Sequence, residues 1–330
     1  MIKKKYLDHH KIFKKKKINA YNSINDVLIK KNKKAYITIN AISGIEGLEP
    51  SINIIKNTQN LAIANKESII CGWKFIKKEL NKYKTNFIPL DSEHFSIWSL
   101  LKSENIENIK SIYLTASGGP FLNRKLENIK NIKPEFALKH PNWKMGKKIS
   151  IDSATMMNKI FEVIEAVKIF NLDIDKFKIL IHPKSYVHSI IHFKTGLTKM
   201  LAHETTMEIP IMNALYSSKD KFKFNNKDLY IENLNNLNFI KPDVNAFPLL
   251  KILNNKINNT YFEIILVALN DELVSRYLNK KIPYISIHKL MLKLLKKPYF
   301  QKYYKLSPNN INEIKIMVNK VKRYLNNYLK

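Results

Sequence analysis

Residues 152–165 carry the side chains best suited to chemistry, in the order Asp-Ser-Ala-Thr-Met-Met-Asn-Lys-Ile-Phe-Glu-Val-Ile-Glu. Apolar residues recur there at helical spacing, which predicts a single helix with Asp152 or Ser153 as its N-cap. Asn158, Glu162 and Glu165 stand four and three residues apart and share another face. An anion would suit the Ser153 end, and a metal ion would suit Glu162 one or two turns later. The alternative is an amphipathic helix with a solvated polar face.

Two carboxylates, Asp91 and Glu93, follow a predicted strand at positions i and i+2. In extended geometry both would point the same way. Together with Glu162 they offer three hard oxygen ligands, which suit Mg²⁺ or Mn²⁺. The alternative for this Asp-Ser-Glu sequence is a helix cap.

Two further motifs also follow predicted strands. Lys66, within Asn-Lys-Glu-Ser at residues 65–68, is placed to orient a substrate hydroxyl or carbonyl; the alternative is a turn with a surface lysine. Ser117-Gly118-Gly119 is small enough for backbone N–H groups to approach a phosphate, although a simple tight turn would read the same.

Residues 140–146 combine Pro, Trp and Gly in a loop that could act as a lid, with Trp143 covering a ligand. The alternative is a packed loop whose Trp joins the core. For His182 and His188 we expect structural hydrogen bonding rather than metal binding.

Strand and helix alternate over residues 35–90, which is typical of a parallel α/β sheet. Ligands gather at the carboxyl ends of such strands, where the motifs at 65–68 and 91–93 lie. The pattern predicts strands at residues 35–42, 61–64, 87–90, 111–116, 178–181 and 187–193. Helices are predicted at residues 69–83 and, in a helical C-terminal region, at 248–254, 261–279, 287–295 and 311–329.

Composition restricts the function classes. The 330 residues carry a net charge of +30, which suggests nucleic-acid or membrane-surface binding, but lysine is spread along the whole length. We therefore favour compositional drift, and expect neither nucleic acid nor membrane as a partner. No run of 18 apolar residues or apolar leader segment occurs. The single cysteine, Cys71, excludes an internal disulfide and predicts a reducing, cytoplasmic location.

The motifs together resemble the 1-deoxy-D-xylulose 5-phosphate reductoisomerase family, from about residue 35 to the C-terminus. The most specific stretch is residues 140–159, and residues 63–68, 90–94, 114–121, 181–189 and 268–272 fit as well. This resemblance implies rearrangement of the deoxyxylulose phosphate and its reduction by NADPH to 2-C-methyl-D-erythritol 4-phosphate, in non-mevalonate isoprenoid synthesis. It also implies a homodimer that binds a small phosphosugar.

The resemblance further implies a role for each matching residue. Asp91, Glu93 and Glu162 would hold Mg²⁺ or Mn²⁺, and Lys66, Glu93 and His140 would be catalytic. Trp143 and Met145 would belong to the lid, and Asn65 and Gly146 would lie near NADPH. The substrate would contact Ser92, Ser117, His140, Ser153, Asn158, Lys159 and Glu162.

The fold class implied is α/β, with a partial Rossmann-like NADPH-binding domain, a central α/β catalytic domain and a C-terminal helical bundle. The predicted boundaries are residues 1–90 for the dinucleotide-binding domain and 91–224 for the domain that binds metal and substrate. An asparagine-rich linker would follow at 225–242, and the helical domain at 243–330.

Two departures from the family pattern stand out. No Gly-x-Gly-x-x-Gly occurs, and Gly44-Ile-Glu-Gly47 is the nearest sequence to it. We therefore expect the chain to start inside the nucleotide domain and to bind NADPH poorly; the alternatives are a remnant that binds substrate or a partner without turnover, and a basic nucleic-acid-binding protein. Glu208 also stands where the family segment usually has arginine, which affects an ion pair near the expected dimer contact.

Overall fold

The computed structural model describes residues 34–143, 145–216, 231–235, 237–255 and 257–329. The strands are β1 (Ala35–Asn40), β2 (Thr58–Ile63), β3 (Asn86–Pro89), β4 (Ile109–Ala116), β5 (Phe177–Ile181), β6 (Val187–Phe193) and β7 (Thr198–Ala202). The helices before β5 are α1 (Leu48–Ile54), α2 (Lys66–Tyr83), α3 (Ser92–Leu101), α4 (Pro134–Ala137), α5 (Lys147–Ala154) and α6 (Met157–Phe170). The later helices are α7 (Glu208–Leu215), α8 (Ile231–Leu234), α9 (Tyr261–Leu278), α10 (Tyr284–Leu295), α11 (Pro298–Gln301) and α12 (Ile311–Tyr328).

The first sheet is parallel, as the alternation of strand and helix predicted. Within the described residues its order is β1-β2-β3, with Ala35 opposite Thr58 and Asn60 opposite Asn86. Parallel register places the carboxyl ends of these strands on one edge of the sheet. Lys66 follows β2 and Asp91 follows β3, so both side chains start from that edge.

The second sheet has the order β5-β4-β6-β7 and mixes parallel with antiparallel pairing. β5 lies parallel to β4, whereas β6 is antiparallel to both β4 and β7. The strands β4, β5 and β6 were predicted, but β7 was not. Its sequence, Thr-Lys-Met-Leu-Ala, is half exposed along its length, so no buried apolar run indicates a strand.

The predicted single helix from residue 152 is wrong, because the chain breaks between α5 and α6. Ser153 lies in the last turn of α5 and is not an N-cap, and Met156 has a φ of 63° between the helices. A left-handed conformation costs a non-glycine residue about 1–2 kcal/mol. Burial of the Met156 side chain beside Ala116, Ile181 and Phe247 offsets this cost.

One hydrophobic core cluster joins distant parts of the sequence. Leu48 of α1, Ile69 of α2, Ile160 of α6, Leu266 of α9 and Val321 of α12 all belong to it. The C-terminal helices are close to the predicted ones, although Pro248–Asn254 forms a 3-10 helix.

Two further predictions from the sequence concern the domain boundaries and the absence of a membrane span. The domain boundaries stay a prediction, and residues 1–33, 144, 217–230, 236, 256 and 330 of the proposed domains and linker lie outside the described residues. Among the helices of the described residues, none combines the length and the apolar character that a membrane span requires.

Candidate active site

A cavity of about 150 Å³ lies where the ends of β3 and β4 face the break between α5 and α6. Trp143 and Met145 of the expected lid line it, as do Met156 and Met207, which were not predicted to belong to the site. Its lining also includes the predicted site residues Asp91, Ser92, Glu93, Ser117, His140, Ser153, Asn158, Lys159 and Glu162.

Asp91, Glu93 and Glu162 converge as the predicted metal site required. One carboxylate oxygen from each lies within 4.8 Å of the others. Three hard oxygen donors this close together fit Mg²⁺ or Mn²⁺, so the donor set matches the expected ion.

The route to this convergence differs from the prediction. Asp91 is the N-cap of α3 and accepts from the Glu93 N–H at 3.3 Å, so Glu93 lies in a first helical turn instead of extended chain. The helix cap that was the alternative reading is therefore present, and the same carboxylates still line the cavity.

Two buried lysines balance the charge of these carboxylates. Lys66 Nζ lies 3.2 Å from Asp91 Oδ2 and 3.4 Å from Glu162 Oε1, and it donates to Asn158 Oδ1 at 2.6 Å. Lys159 Nζ donates to Glu93 Oε1 at 2.8 Å and pairs with Glu162. Lys66 is thus a buried partner of the cluster and not a surface lysine, although it does not line the cavity.

The carboxylates differ in proton affinity. Burial opposes ionisation of Asp91, but Lys66 and His94 hold its pKa well below the usual range. Burial, followed by the charges of Glu93 and Asp91, raises the pKa of Glu162 to about 7. Desolvation prevails at Glu162, whereas at Asp91 the cationic neighbours together outweigh it.

His94 contacts the metal-site carboxylate Asp91, although no role was predicted for it. Its Nδ1 lies 3.1 Å from Asp91 Oδ1, and its Nε2 lies 2.8 Å from the Glu162 carbonyl oxygen. Burial opposes its charge, but Glu165 and Asp91 raise the pKa of His94 to about 9. Its position three residues after Asp91, on one helical turn, was the available signal.

The serines of the expected phosphate site meet because glycine lets two backbone segments approach. A Cβ on Gly119 would lie 3.1 Å from both Ala154 Cα and the Ser153 carbonyl oxygen, and its φ is 66°. Glycine at this position therefore allows the Ser117 loop to pack against the end of α5, which brings Ser117 and Ser153 to one cavity.

His140 and Ser117 share a hydrogen bond whose direction follows from their other partners. His140 Nδ1 accepts the N–H groups of Asn142 and Trp143 at 3.2 and 3.0 Å. Nε2 must then carry the proton and donate to Ser117 Oγ at 2.9 Å, which agrees with the pKa of His140 being lowered by burial.

The loop at residues 140–143 is fastened to the segment between β5 and β6. Asn142 Nδ2 donates to the Pro183 carbonyl at 2.6 Å and to Ser185 Oγ at 2.8 Å. Trp143 meets the ring of His188 edge-on, with centroids 6.1 Å apart, and His188 stacks on His203 at 3.7 Å.

The predicted hydrogen bonding of the other histidines is confirmed. His182 Nδ1 lies 2.9 Å from the Asn238 carbonyl, and His188 Nε2 lies 3.2 Å from that of His203. Burial lowers the pKa of both rings. Glu208, exposed at the start of α7, favours that helix through its dipole.

Asn65 and Gly146 are not in the lining of the described cavity. Asn65 caps α2 by accepting from the Ser68 N–H at 2.8 Å, and it donates to the carbonyls of Ile42 and Gly44. Its side chain therefore braces the loop after β1. Gly146 caps α5 at the end of the lid loop, in open space.

Family models match most of the chain. The model described as 1-deoxy-D-xylulose 5-phosphate reductoisomerase matches residues 4–72, and its C-terminal domain matches residues 87–170. A further DXP reductoisomerase C-terminal domain matches residues 203–324. The first match extends the likeness well before residue 35, where the motifs alone had placed its start.

Individual proteins give the same result. The 1-deoxy-D-xylulose 5-phosphate reductoisomerase of Pelagibacter ubique (strain HTCC1062) is 54% identical over 302 residues, 91% of this chain and 77% of that protein. The enzyme of the same name from Sulfurihydrogenibium sp. (strain YO3AOP1) is 43% identical over 262 residues, 78% of this chain and 68% of that protein.

Solved structures agree in fold. The Zymomonas mobilis reductoisomerase in complex with NADPH gives a TM-score of 0.78 at 29% identity, over 89% of this chain and 75% of that one. A DOX-P reductoisomerase in complex with NADPH, fosmidomycin and magnesium gives 0.85 at 28%, over 98% and 84%. The α/β fold class is thereby confirmed, and the chain belongs to the 1-deoxy-D-xylulose 5-phosphate reductoisomerase family.

Proposed function

We propose that this chain converts 1-deoxy-D-xylulose 5-phosphate to 2-C-methyl-D-erythritol 4-phosphate with NADPH, in non-mevalonate isoprenoid synthesis. The observation that carries the proposal is one cavity lined both by three convergent carboxylates and by two serines beside a lysine. A metal-binding end and an anion-binding end in one cavity suit a sugar that is phosphorylated away from its reacting carbons.

Ser117 is well prepared to bind the phosphate. Its Oγ accepts the Gly119 N–H at 3.1 Å and the His140 Nε2–H, so the hydroxyl hydrogen is directed elsewhere and can be donated to an oxyanion. Lys159 brings a buried positive charge and Ser153 a second hydroxyl, with Asn158 beside them. These contacts hold the phosphate, while Ser92 and Lys66 are proposed to orient the sugar oxygens.

Asp91, Glu93 and Glu162 would hold Mg²⁺ or Mn²⁺, which when bound supplies a Lewis acid for two adjacent substrate oxygens. Lys66 and Lys159 offset part of the negative charge that these carboxylates bring into the buried site. His94 fixes the Asp91 carboxylate through its Nδ1. Such partners typically tune metal affinity and activity by 10- to 100-fold, roughly.

NADPH would supply hydride, and we place it at the carboxyl ends of β1–β3, where loops of such sheets hold ligands. Asn65 would act there through the loop after β1 that it braces, and Gly146 through the start of α5. Trp143 and Met145 are proposed to close over the substrate and exclude water.

We further propose that the protein is a homodimer in the cytoplasm. Within each copy, we propose the domain boundaries predicted from the sequence, at residues 1–90, 91–224, 225–242 and 243–330. Leu197, which directly precedes β7, and Met200 of β7 are 65% and 48% exposed. In the described part of the chain no strand pairs with the outer side of β7. Apolar side chains beside an unpaired edge suit a second copy of the chain.

The test replaces one carboxylate. Glu162→Gln keeps the shape but removes the charge, so we expect kcat/KM to fall by at least about 100-fold, with weaker Mn²⁺ binding. Product formation is measured by NADPH oxidation, and Mn²⁺ by electron paramagnetic resonance. The matched control is Glu104→Gln, which removes a carboxylate that pairs with Lys199 outside the cavity. Unchanged turnover in Glu162→Gln would contradict the proposed site.

A further inference from the structure

Lys148 lies outside the cavity lining, yet it joins three helices. Its Nζ donates to Glu67 Oε1 of α2 at 2.9 Å and to Asp152 Oδ2 of α5 at 3.0 Å. It also lies 3.1 Å from Asp271 Oδ1 of α9. We call these four residues the charge cluster.

The charge cluster is an obligatory set of partners and not a loose surface pair. Glu67 and Asp152 are buried, and Lys148 is about one-third exposed, at 34% of its side chain. Burial opposes ionisation, but Lys148 lowers the pKa of Glu67, and Asp152, Asp271 and Glu67 raise that of Lys148. Removing one partner of such a set leaves a partly buried charge without its counter-ion, which raises the free energy of the folded protein strongly.

Each arm of the charge cluster lies next to a residue of the proposed site. Glu67 follows Lys66 in the first turn of α2, and Lys66 contacts Asp91 and Glu162. Asp152 precedes Ser153, at the end of α5 that lines the cavity. The Glu67–Lys148–Asp152 bridge therefore fixes the two backbone segments that present Lys66 and Ser153.

Helix α9 anchors this bridge from outside. Asn270 Nδ2 donates to Asp152 Oδ1 at 2.7 Å, and Asp271 faces Lys148. Both residues belong to the motif at 268–272, which resembles the family but does not line the described cavity. The motif at 268–272 therefore holds Asp152 and Lys148 in place.

We propose that Lys148 is a positioning residue of the reaction stated above, on which this inference rests. Through Glu67 it holds Lys66 against the metal-binding carboxylates, and through Asp152 it holds Ser153 toward the phosphate. A misplacement of about 1 Å at such groups can cost on the order of 100-fold in rate. Lys148 itself touches neither substrate nor metal.

The first test compares Lys148→Met with Lys148→Arg in steady-state kinetics. We expect Lys148→Met to lower kcat/KM by roughly 10- to 100-fold, and Lys148→Arg to recover a large part of it. The two carboxylate partners of Lys148 should have different kinetic effects. Glu67→Gln should mainly lower kcat, and Asp152→Asn should mainly raise KM for the phosphosugar. Glu67→Gln and Lys148→Met change the net charge in opposite directions, so a long-range field effect would move kcat/KM in opposite directions.

The matched control is Lys168→Met. Lys168 is another buried lysine, paired with Glu263 at 3.4 Å and bonded to Asn259 at 2.8 Å near the other end of α6. Its loss should lower the melting temperature without a comparable kinetic change. If Lys148→Met and Lys168→Met have the same kinetics at a similar loss of stability, Lys148 is merely structural and the inference is overturned.

A double-mutant cycle and direct binding complete the design. Lys148→Met and Ser153→Ala should be non-additive in the affinity for inorganic phosphate, measured by calorimetry with Mn²⁺ present; additive effects would overturn the inference. If Lys148→Met does not fold, Glu67→Gln and Asp152→Asn carry the same cycle. If the unmodified protein binds phosphate but does not turn over the phosphosugar, the proposed function fails, while this cycle still decides the role of Lys148.

Discussion

At the scale of single residues, hydrogen-bond partners decide the charge of a buried imidazole. His140 remains neutral because two backbone N–H groups occupy its Nδ1. His288 of α10 is buried as well, and neither ring nitrogen has a hydrogen-bond partner among the described residues. Burial lowers the pKa of His288 to about 4, so nothing around it stabilises the charged form.

His288 should make the protein sensitive to acid. Between about pH 6.5 and 4 the unfolded chain binds a proton at this residue and the folded chain does not, so stability is present above pH 6.5 and lost as the pH falls. From pH 7 to 5 the loss from this group is about 2 kcal/mol. His288→Phe should remove that share of the pH dependence, measured by urea unfolding at both pH values. An unchanged pH dependence would show that the pKa of His288 is not lowered in the folded protein.

The residue scale also shows what sequence could reveal. Asp91, Glu93 and Glu162 were predicted as one site because carboxylate spacing and strand ends are visible in the sequence. Lys148 was missed because its importance arises from partners on other helices. His94 was missed because only its spacing from Asp91 is visible in the sequence, while its contact with Glu162 is not. Long-range pairing leaves no local pattern.

At the scale of elements, the end of α2 contains a correctable strain. Lys84 follows the helix with a φ of 51°, and its N–H and that of Thr85 close the last turn on residues 80 and 81. This is the left-handed position at which glycine is usual. Lysine there lacks any compensating burial, because Lys84 is exposed.

Lys84→Gly should therefore stabilise the protein, by about 0.5–1 kcal/mol after the greater freedom of glycine in the unfolded chain is subtracted. The control is Lys82→Gly, an exposed lysine two residues earlier in right-handed helix, which should destabilise by a similar amount. Thermal or denaturant unfolding measures both. If Lys84→Gly is destabilised as Lys82→Gly is, the backbone at Lys84 is not strained.

Elements also mark the limit of pattern reading. The strands of the first sheet and the long C-terminal helices were predicted because their apolar periodicity is regular. The break at Met156 was missed, since methionine normally favours helix and its left-handed conformation is enforced by burial against residues far along the sequence.

At the scale of the whole molecule, the charge of +30 should act on substrate capture. The positive charge of the protein attracts a phosphosugar dianion. Salt limits the range of this attraction to about 10 Å at 0.1 M ionic strength. We expect kcat/KM to fall about threefold or more between low salt and about 0.3 M KCl, while kcat changes little. Sucrose at equal osmolality controls for solvent effects. A flat kcat/KM would mean that the net charge does not steer the substrate.

The shared core has a consequence for how the chain is made. Leu48 and Ile69 pack in one cluster with Ile314 and Val321, which the ribosome delivers only after all the intervening sequence. At about 5–20 residues per second, the earlier apolar surfaces wait on the order of tens of seconds for their partners. We therefore expect the nascent protein to need ribosome-associated chaperones, and its yield to depend on how quickly α12 emerges and docks.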